Sequence, residues 1–392
     1  SSAFVHTCGR TYNDNYDKKI NSYEIVPESG FDILPNESLT PFFSFVNGPN
    51  ELKNHVLNLN IQNYRGNIFN KKILLKKLKK YETKFIFFLS KKEKNFLENQ
   101  KGTVSIKHRL TEFFPRFLAG NMDIKKSISS LTHTYYDLTK TKKKNIWVNQ
   151  NPKIFFDSIL SFPLFVKKNY YNELAIYPIF SKCEMNLDLQ IINNNGNLIF
   201  EKKSFQIIKK INKKIIYINL NKHFEYLNLN KKKSYFARVI VNANSKPLTR
   251  FKVGLNIGLQ KKKLNIPTNI CFNSILPDKN VVHKQGTFKW APILDVEKSL
   301  ICLSNINYFR KDFKDAKVIM KIWSQYNSKF LIKKISIKDN GNRFISFKKN
   351  LKVKKFLNEK SGWITFQCDN PFVNGFYFEN QNNGFIGGDH LF

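Results

Sequence analysis

LNLNIQNYRGNIFNKKILL, residues Leu57–Leu75, places apolar residues at alternate positions, then a polar turn with Gly66, then a second apolar run that includes lysines. Period-two alternation on both sides of a short Asn/Gly turn marks a β-hairpin. The pattern returns as LDLQIINNNGNLIFEKKSFQI (Leu187–Ile207) and as VIMKIWSQYNSKFLIKKISI (Val318–Ile337). Gly66 and Gly196 are 130 residues apart.

Working outward, the segments after each hairpin also match. KFIFFLSKKEKNFLENQKGTVSIKHR starts at Lys84, KIIYINLNKHFEYLNLNKKKSYFARV at Lys214 and RFISFKKNLKVKKFLNEKSGWITFQC at Arg343. The pairs Phe96-Leu97, Tyr226-Leu227 and Phe356-Leu357 recur every 130 residues. A small residue follows each (Gly102, Ser234, Gly362), and then a strand-like run. A closing block starts at Pro115, Pro247 and Pro371. Fixed periodicity of this kind marks repeated structural units. Short strands at regular spacing, with weak helical periodicity, predict an all-β chain of tandem antiparallel β-sandwich modules, jelly-roll or Ig-like, repeated at about 130 residues. Leu74–Tyr81 fits a short amphipathic helix as well as a strand. The expected boundaries are 45–140, 141–274 and 275–392. Residues 1–44 hold Asp14, Asp17, Glu24, Glu28, Asp32 and Glu37, and read as a connector or the end of an earlier module.

The chain has 392 residues and a formal net charge of +37, with 42% hydrophobic residues. That is ample apolar material for several cores and excludes a wholly disordered chain. No apolar run approaches the ~20 residues of a membrane-spanning helix. Only eight of the 66 basic residues are Arg, and Lys, Asn, Ile and Phe are all abundant. An AT-rich coding bias explains such text, so the lysines read as solvated faces before they read as a nucleic-acid surface. Arginines retained against that bias point to sites that need a planar guanidinium, and pairing with a carboxylate or carbonyl is the simpler role for Arg109, Arg116, Arg238 and Arg250. Ser1 in place of Met suggests processing or a longer parent. Cys8, Cys183, Cys271, Cys302 and Cys368 are odd in number and widely spaced, which argues against a disulfide framework or zinc knot and for small buried apolar residues.

Three histidines stand at a recurring place after the modules: His6, His133 and His390. The second module carries Thr268 and Asn269 there. If these loops converge, His6, His133 and His390 with Asp137 or Asp389 would form a divalent transition-metal or acid/base cluster, because imidazole with carboxylate suits zinc, iron or manganese. The simpler role is hydrogen bonding at module junctions. Arg10, Tyr12, Arg116, Tyr135 and Tyr136 are the candidate ligand-binding residues, the tyrosines through ring stacking. Glu184, Asp188 and Asp369 are further acids in aromatic settings, Asp369 reading as a turn residue. No P-loop, dinucleotide fingerprint, nucleophile elbow or EF-hand occurs, and no catalytic residue is assigned.

These features rank a non-catalytic multi-domain protein binding a glycan, polymer or cell-envelope partner first, and a metal-dependent enzyme acting on carbohydrate from a His/Asp site second. A charge-driven nucleic-acid binder is third. The first reading needs no cofactor and favours an envelope or extracellular setting over the cytoplasm. Trp147, Trp290, Trp323 and Trp363 are the candidate contacts, with Trp363 expected in the core because it lies in a repeated strand.

Overall fold

A computed structural model describes residues 28–34, 39–48, 50–107, 117–125, 128–136, 157–167, 169–178, 184–209, 214–243, 252–259, 268–273, 286–307, 315–326, 328–358, 361–380 and 386–391. They form tandem antiparallel β-sandwiches.

The first sandwich contains β1 (Glu28–Ile33), β2 (Leu39–Val46), β3 (Leu52–Gln62), β4 (Ile68–Leu78), β5 (Thr83–Phe87), helix α1 (Lys91–Phe96), β6 (Gly102–Lys107), β7 (Leu118–Asp123), β8 (Ile128–His133) and the two-residue β9 (Tyr135–Tyr136). The second contains β10 (Asp157–Leu164), β11 (Tyr170–Ile176), β12 (Met185–Asn193), β13 (Leu198–Ile208), β14 (Ile216–Asn219), β15 (Tyr235–Ala243), β16 (Lys252–Leu259) and β17 (Thr268–Asn273). The third contains β18 (Thr287–Ile293), β19 (Ser299–Asn305), β20 (Ala316–Ser324), β21 (Phe330–Ile337), β22 (Asn342–Ser346), α2 (Leu351–Leu357), β23 (Gly362–Cys368), β24 (Val373–Asn380) and β25 (Ile386–His390).

The strand order is the same in each. Sheet A joins the first, sixth, third and fourth strands of a module; sheet B joins the fifth, second, seventh and eighth. In the first module β9 adds to the edge of sheet A beside β1. Strands β1 and β2 lie mostly inside the stretch expected as a connector, because the acids there flank two apolar runs, Phe31–Ile33 and Leu39–Val46, that pair with β6 and β7.

The recurring motifs have local causes. The β3–β4 and β12–β13 turns are superimposable in their bonding. Asn63 Oδ1 accepts from the backbone N–H groups of Arg65 and Asn67, and Asn193 Oδ1 from those of Asn195 and Asn197. Each turn closes on a glycine at positive φ, 89° at Gly66 and 87° at Gly196. The aromatic-Leu pairs sit on the helical turn between the fifth and sixth strands, where Leu97 and Leu357 are fully buried against the cores. Leu74 belongs to β4, so alternation and not helical periodicity governs that segment. The fourth strand of each module (β4, β13, β21), an outer edge of sheet A, carries paired lysines. Charged lysines there block edge-to-edge pairing with another chain.

The modules dock in series, and both junctions use the same elements. Sheet B of the second module covers the outer face of sheet A of the first. Asn256 of β16 donates to Asp32 of β1 at 2.6 Å, Lys101 pairs with Glu173 of β11 at 2.6 Å, and the Tyr217 hydroxyl of β14 reaches the Gly102 carbonyl. Sheet B of the third module covers sheet A of the second in the same way. Phe344 of β22 packs on Phe236 of β15 with ring centroids 6.0 Å apart, Arg238 donates to the Asn340 carbonyl at 3.0 Å, and Ile306 closes on Ile159 and Ile240. Arg238 thus takes the carbonyl-pairing role expected of a retained arginine. The eighth strands run together at the centre, β17 lying against both β8 and β25, with the Cys271 N–H bonded to Thr132 Oγ1 at 2.9 Å. Cys271, Cys302 and Cys368 are buried free thiols.

Candidate functional site

Two of the recurring histidines meet at this centre. His133 ends β8 and His390 ends β25, and their Nε2 atoms are 2.9 Å apart. Register shows why. Aligning Lys84-Phe85-Ile86, Lys214-Ile215-Ile216 and Arg343-Phe344-Ile345 at the fifth strand sets Phe43, Ile176 and Ile301 of the second strands as equivalents, paired with Ile86, Ile216 and Ile345. Counting across the seventh strands to the eighth then makes His133 and His390 equivalent. In the second module the same count reaches Asn273, not Thr268 or Asn269, because the loop lengths differ between modules.

The His390 ring is oriented by its own chain. Its Nδ1 lies 3.0 Å from the Leu391 carbonyl, and a carbonyl only accepts, so Nδ1 carries the proton and Nε2 presents its lone pair toward His133. A backbone carbonyl behind the imidazole is the usual arrangement for a metal-binding histidine. Asp389 is the third donor: one ligand atom from each of His133, Asp389 and His390 falls within a 4.8 Å group. Its Oδ1 accepts from the His390 N–H at 2.8 Å and lies 4.0 Å from His390 Nε2. Burial raises the Asp389 carboxyl above its ordinary range, opposed by His390. The 2.9 Å contact is a hydrogen bond between the two rings, and the same three side chains could hold a divalent ion. Two His and one carboxylate with remaining positions open is a donor set for iron, manganese or zinc.

Of the other expected site residues, His6, Arg10, Tyr12, Arg116 and Asp137 lie outside the described residues, as do Trp147, Cys8 and Cys183. Tyr135 and Tyr136 form β9 and pair with Ser29 and Glu28.

A second surface stands out in the third module. The outer face of its sheet A carries Trp290, Trp323 and Trp363, three of the chain's four tryptophans, with Phe288, Pro292 and Phe330. Trp323 and Trp363 are cross-strand partners stacked with centroids 6.1 Å apart and planes 6° from parallel; Phe330 extends the row at 4.6 Å from Trp323. Trp363 is 39% exposed and Phe288 63%. Trp363 is therefore not a core residue. Ile364 and Phe366 take the inward positions of β23, and Trp363 alternates to the outside.

No protein-family model matches the chain, and no curated protein is significantly similar to it. No helix among the described residues is long and apolar enough to cross a membrane.

Proposed function

We propose that the chain is a non-catalytic, multi-domain binding protein and that it holds its partner, a glycan, polymer or cell-envelope component, on the outer face of sheet A in the third module. The observation that carries this reading is the stacked Trp323–Trp363 pair left open to solvent. A flat aromatic row of this kind binds other flat or apolar surfaces, and large indole faces seldom stay uncovered without use. The serial docking of rigid sandwiches presents that face on a fixed scaffold. The test is retention on insoluble glycans (peptidoglycan, chitin, cellulose) and on isolated envelope fractions. Trp323→Ala and Trp363→Ala should each reduce retention with the fold intact by circular dichroism. Equal retention by wild type and the double variant refutes the use of this face.

The His133–Asp389–His390 group favours a second reading, a metal-dependent enzyme acting on carbohydrate. Those three side chains would hold the ion, and the open positions would take water or a sugar hydroxyl, making the ion a Lewis acid. Elemental analysis of purified protein and of His133→Ala tests it. About one transition-metal ion per chain, lost in the variant, together with hydrolysis of a glycan by the loaded protein, would put this reading first.

A further inference from the structure

The open aromatic face is the same structural position that the other two modules bury under a neighbour. Counting from the matched β3–β4, β12–β13 and β20–β21 hairpins, the cross-strand pairs Gln62–Thr103, Ile192–Phe236 and Trp323–Trp363 are equivalent. Gln62 and Thr103 are buried at the junction with the second module. Ile192 and Phe236 are buried beneath the third, Phe236 at 1% exposure, with the Asn342 side chain bonded to the Ile192 and Asn193 carbonyls. Trp323 and Trp363 have the same place, with Trp323 half-buried and Trp363 39% exposed.

The matching surface of the first module is exposed among the described residues. The residues that cover sheet A at each junction come from sheet B of the next module, its fifth strand among them. Phe344 lies on Phe236, and Tyr217 reaches Gly102. The equivalents in the first module, Phe85 for Phe344 and Phe87 for Tyr217, are each 47% exposed. Phe85 stacks on Phe42 at 4.5 Å and touches Phe87 at 5.1 Å, so an ordered aromatic ridge faces outward on β5. The receiving turn is open as well. The Gly66 turn takes Lys214, and the Gly196 turn takes Asp339 and Gly341, whereas Tyr326 in the equivalent turn of the third module is exposed.

We infer that the occupant of the third module's aromatic face is the first module of a second copy of this chain, docked through Phe85 and Phe87 in the manner of the two internal junctions. This rests on the reading that the face is a binding surface, for which a second copy and a glycan would compete. Such a contact uses different patches on the two copies. It is heterologous, and it propagates into a filament or closes into a ring according to the rotation per copy.

The experiment is sedimentation velocity of the full chain from low micromolar to near-millimolar concentration, with Phe85→Glu on one side of the contact and Trp363→Glu on the other. Both residues are exposed within one copy, so both variants should retain the wild-type circular dichroism spectrum. Wild type should show a concentration-dependent series of larger species. Each variant alone should weaken association at least ~30-fold, the order expected for removing a central interface anchor. An equal mixture of the two variants retains one intact pair of surfaces and should stop at a dimer. Wild type that stays monomeric throughout, or variants that associate as wild type does, overturns the inference. Glycan retention separates the two claims: a monomeric wild type that still loses glycan binding on Trp363→Glu removes the second copy and leaves the binding face, whereas a monomer with unchanged glycan retention removes both.

Discussion

Asp32 offers a sharp test of how the first two modules are held together. It lies on the outer face of β1, since Phe31 and Ile33 on either side enter the core, and docking of the second module buries it. Asn256 donates to its Oδ2 and shares the same Nδ2 with Glu173, which Lys101 neutralises. Oδ1 has no hydrogen-bond partner. Burial raises the Asp32 carboxyl from 3.8 to about 7, moderated by the Asn256 bond and by Lys101, and reinforced by Glu173. The folded state therefore binds this proton more tightly than the unfolded chain. Stability falls as pH rises from about 4 to about 7 and is level above that; below pH 4 both states are protonated and the penalty vanishes. At ~1.4 kcal/mol per pH unit, the ceiling is on the order of 4 kcal/mol. Glu379 contributes a parallel slope, since burial lifts it to about 7 against the opposing hydrogen bond from Ser299. Asp32→Asn keeps the shape and removes the charge. In urea melts followed by circular dichroism at pH 5, 6, 7 and 8, wild type should lose stability across the series. Asp32→Asn should lose roughly half that slope and be the more stable protein at pH 8; Glu379→Gln should remove most of the rest. A pH dependence of Asp32→Asn that matches wild type would refute the argument that this carboxyl is buried at the junction.

Leu357→Ala empties a fully buried position under α2 and should cost ~2–5 kcal/mol in the same melts, as should Leu97→Ala in the first module. Gly196→Ala should destabilise the junction of the second and third modules, because φ is +87° and a Cβ would collide with the Asp339 carbonyl. Gly387→Ala, with open space around it, should melt as wild type does. Arg238→Lys loses the fork that reaches the Asn340 carbonyl across the same junction and should raise the rate of limited proteolysis between those modules, while leaving the Asp32 pH dependence unchanged.

The local architecture was legible where one face of a strand is polar. Leu57, Leu59 and Ile61 alternate with Asn58, Asn60 and Gln62, so the inward face of β3 could be read directly. Reading failed where both faces are apolar or aromatic. In GWITFQC the pattern does not say whether Trp363 or Ile364 is inside, and membership in a repeated strand wrongly favoured Trp363. The histidine spacing was informative because β8 and β25 end at the same register. It misplaced the equivalent of the second module because a count along the chain includes loops, whereas a count across paired strands does not. The acidic opening stretch looked like a linker because Asp32 is a polar outer-face position of β1, meaningful only once a second module lies over it.

That last point explains why the junctions leave no common motif. The strands of each core repeat because each sandwich must bury the same inward face. The outer faces of sheet A do not repeat. In the first module it offers Asp32, Gln62 and Thr103; in the second, Ile159, Ile192 and Phe236; in the third, a row of indoles. The covering strands differ to match. Asn256 and Tyr217 come down on the polar face, and Phe344 and Ile306 on the apolar one. Exchanging the order would seat Phe344 over Asp32 and leave a buried carboxylate without Asn256, a loss of several kcal/mol for an unpaired buried charge. Identical sandwiches with identical outer faces could dock in any order or with copies of themselves. Divergence of these faces, within a conserved register, fixes which module follows which.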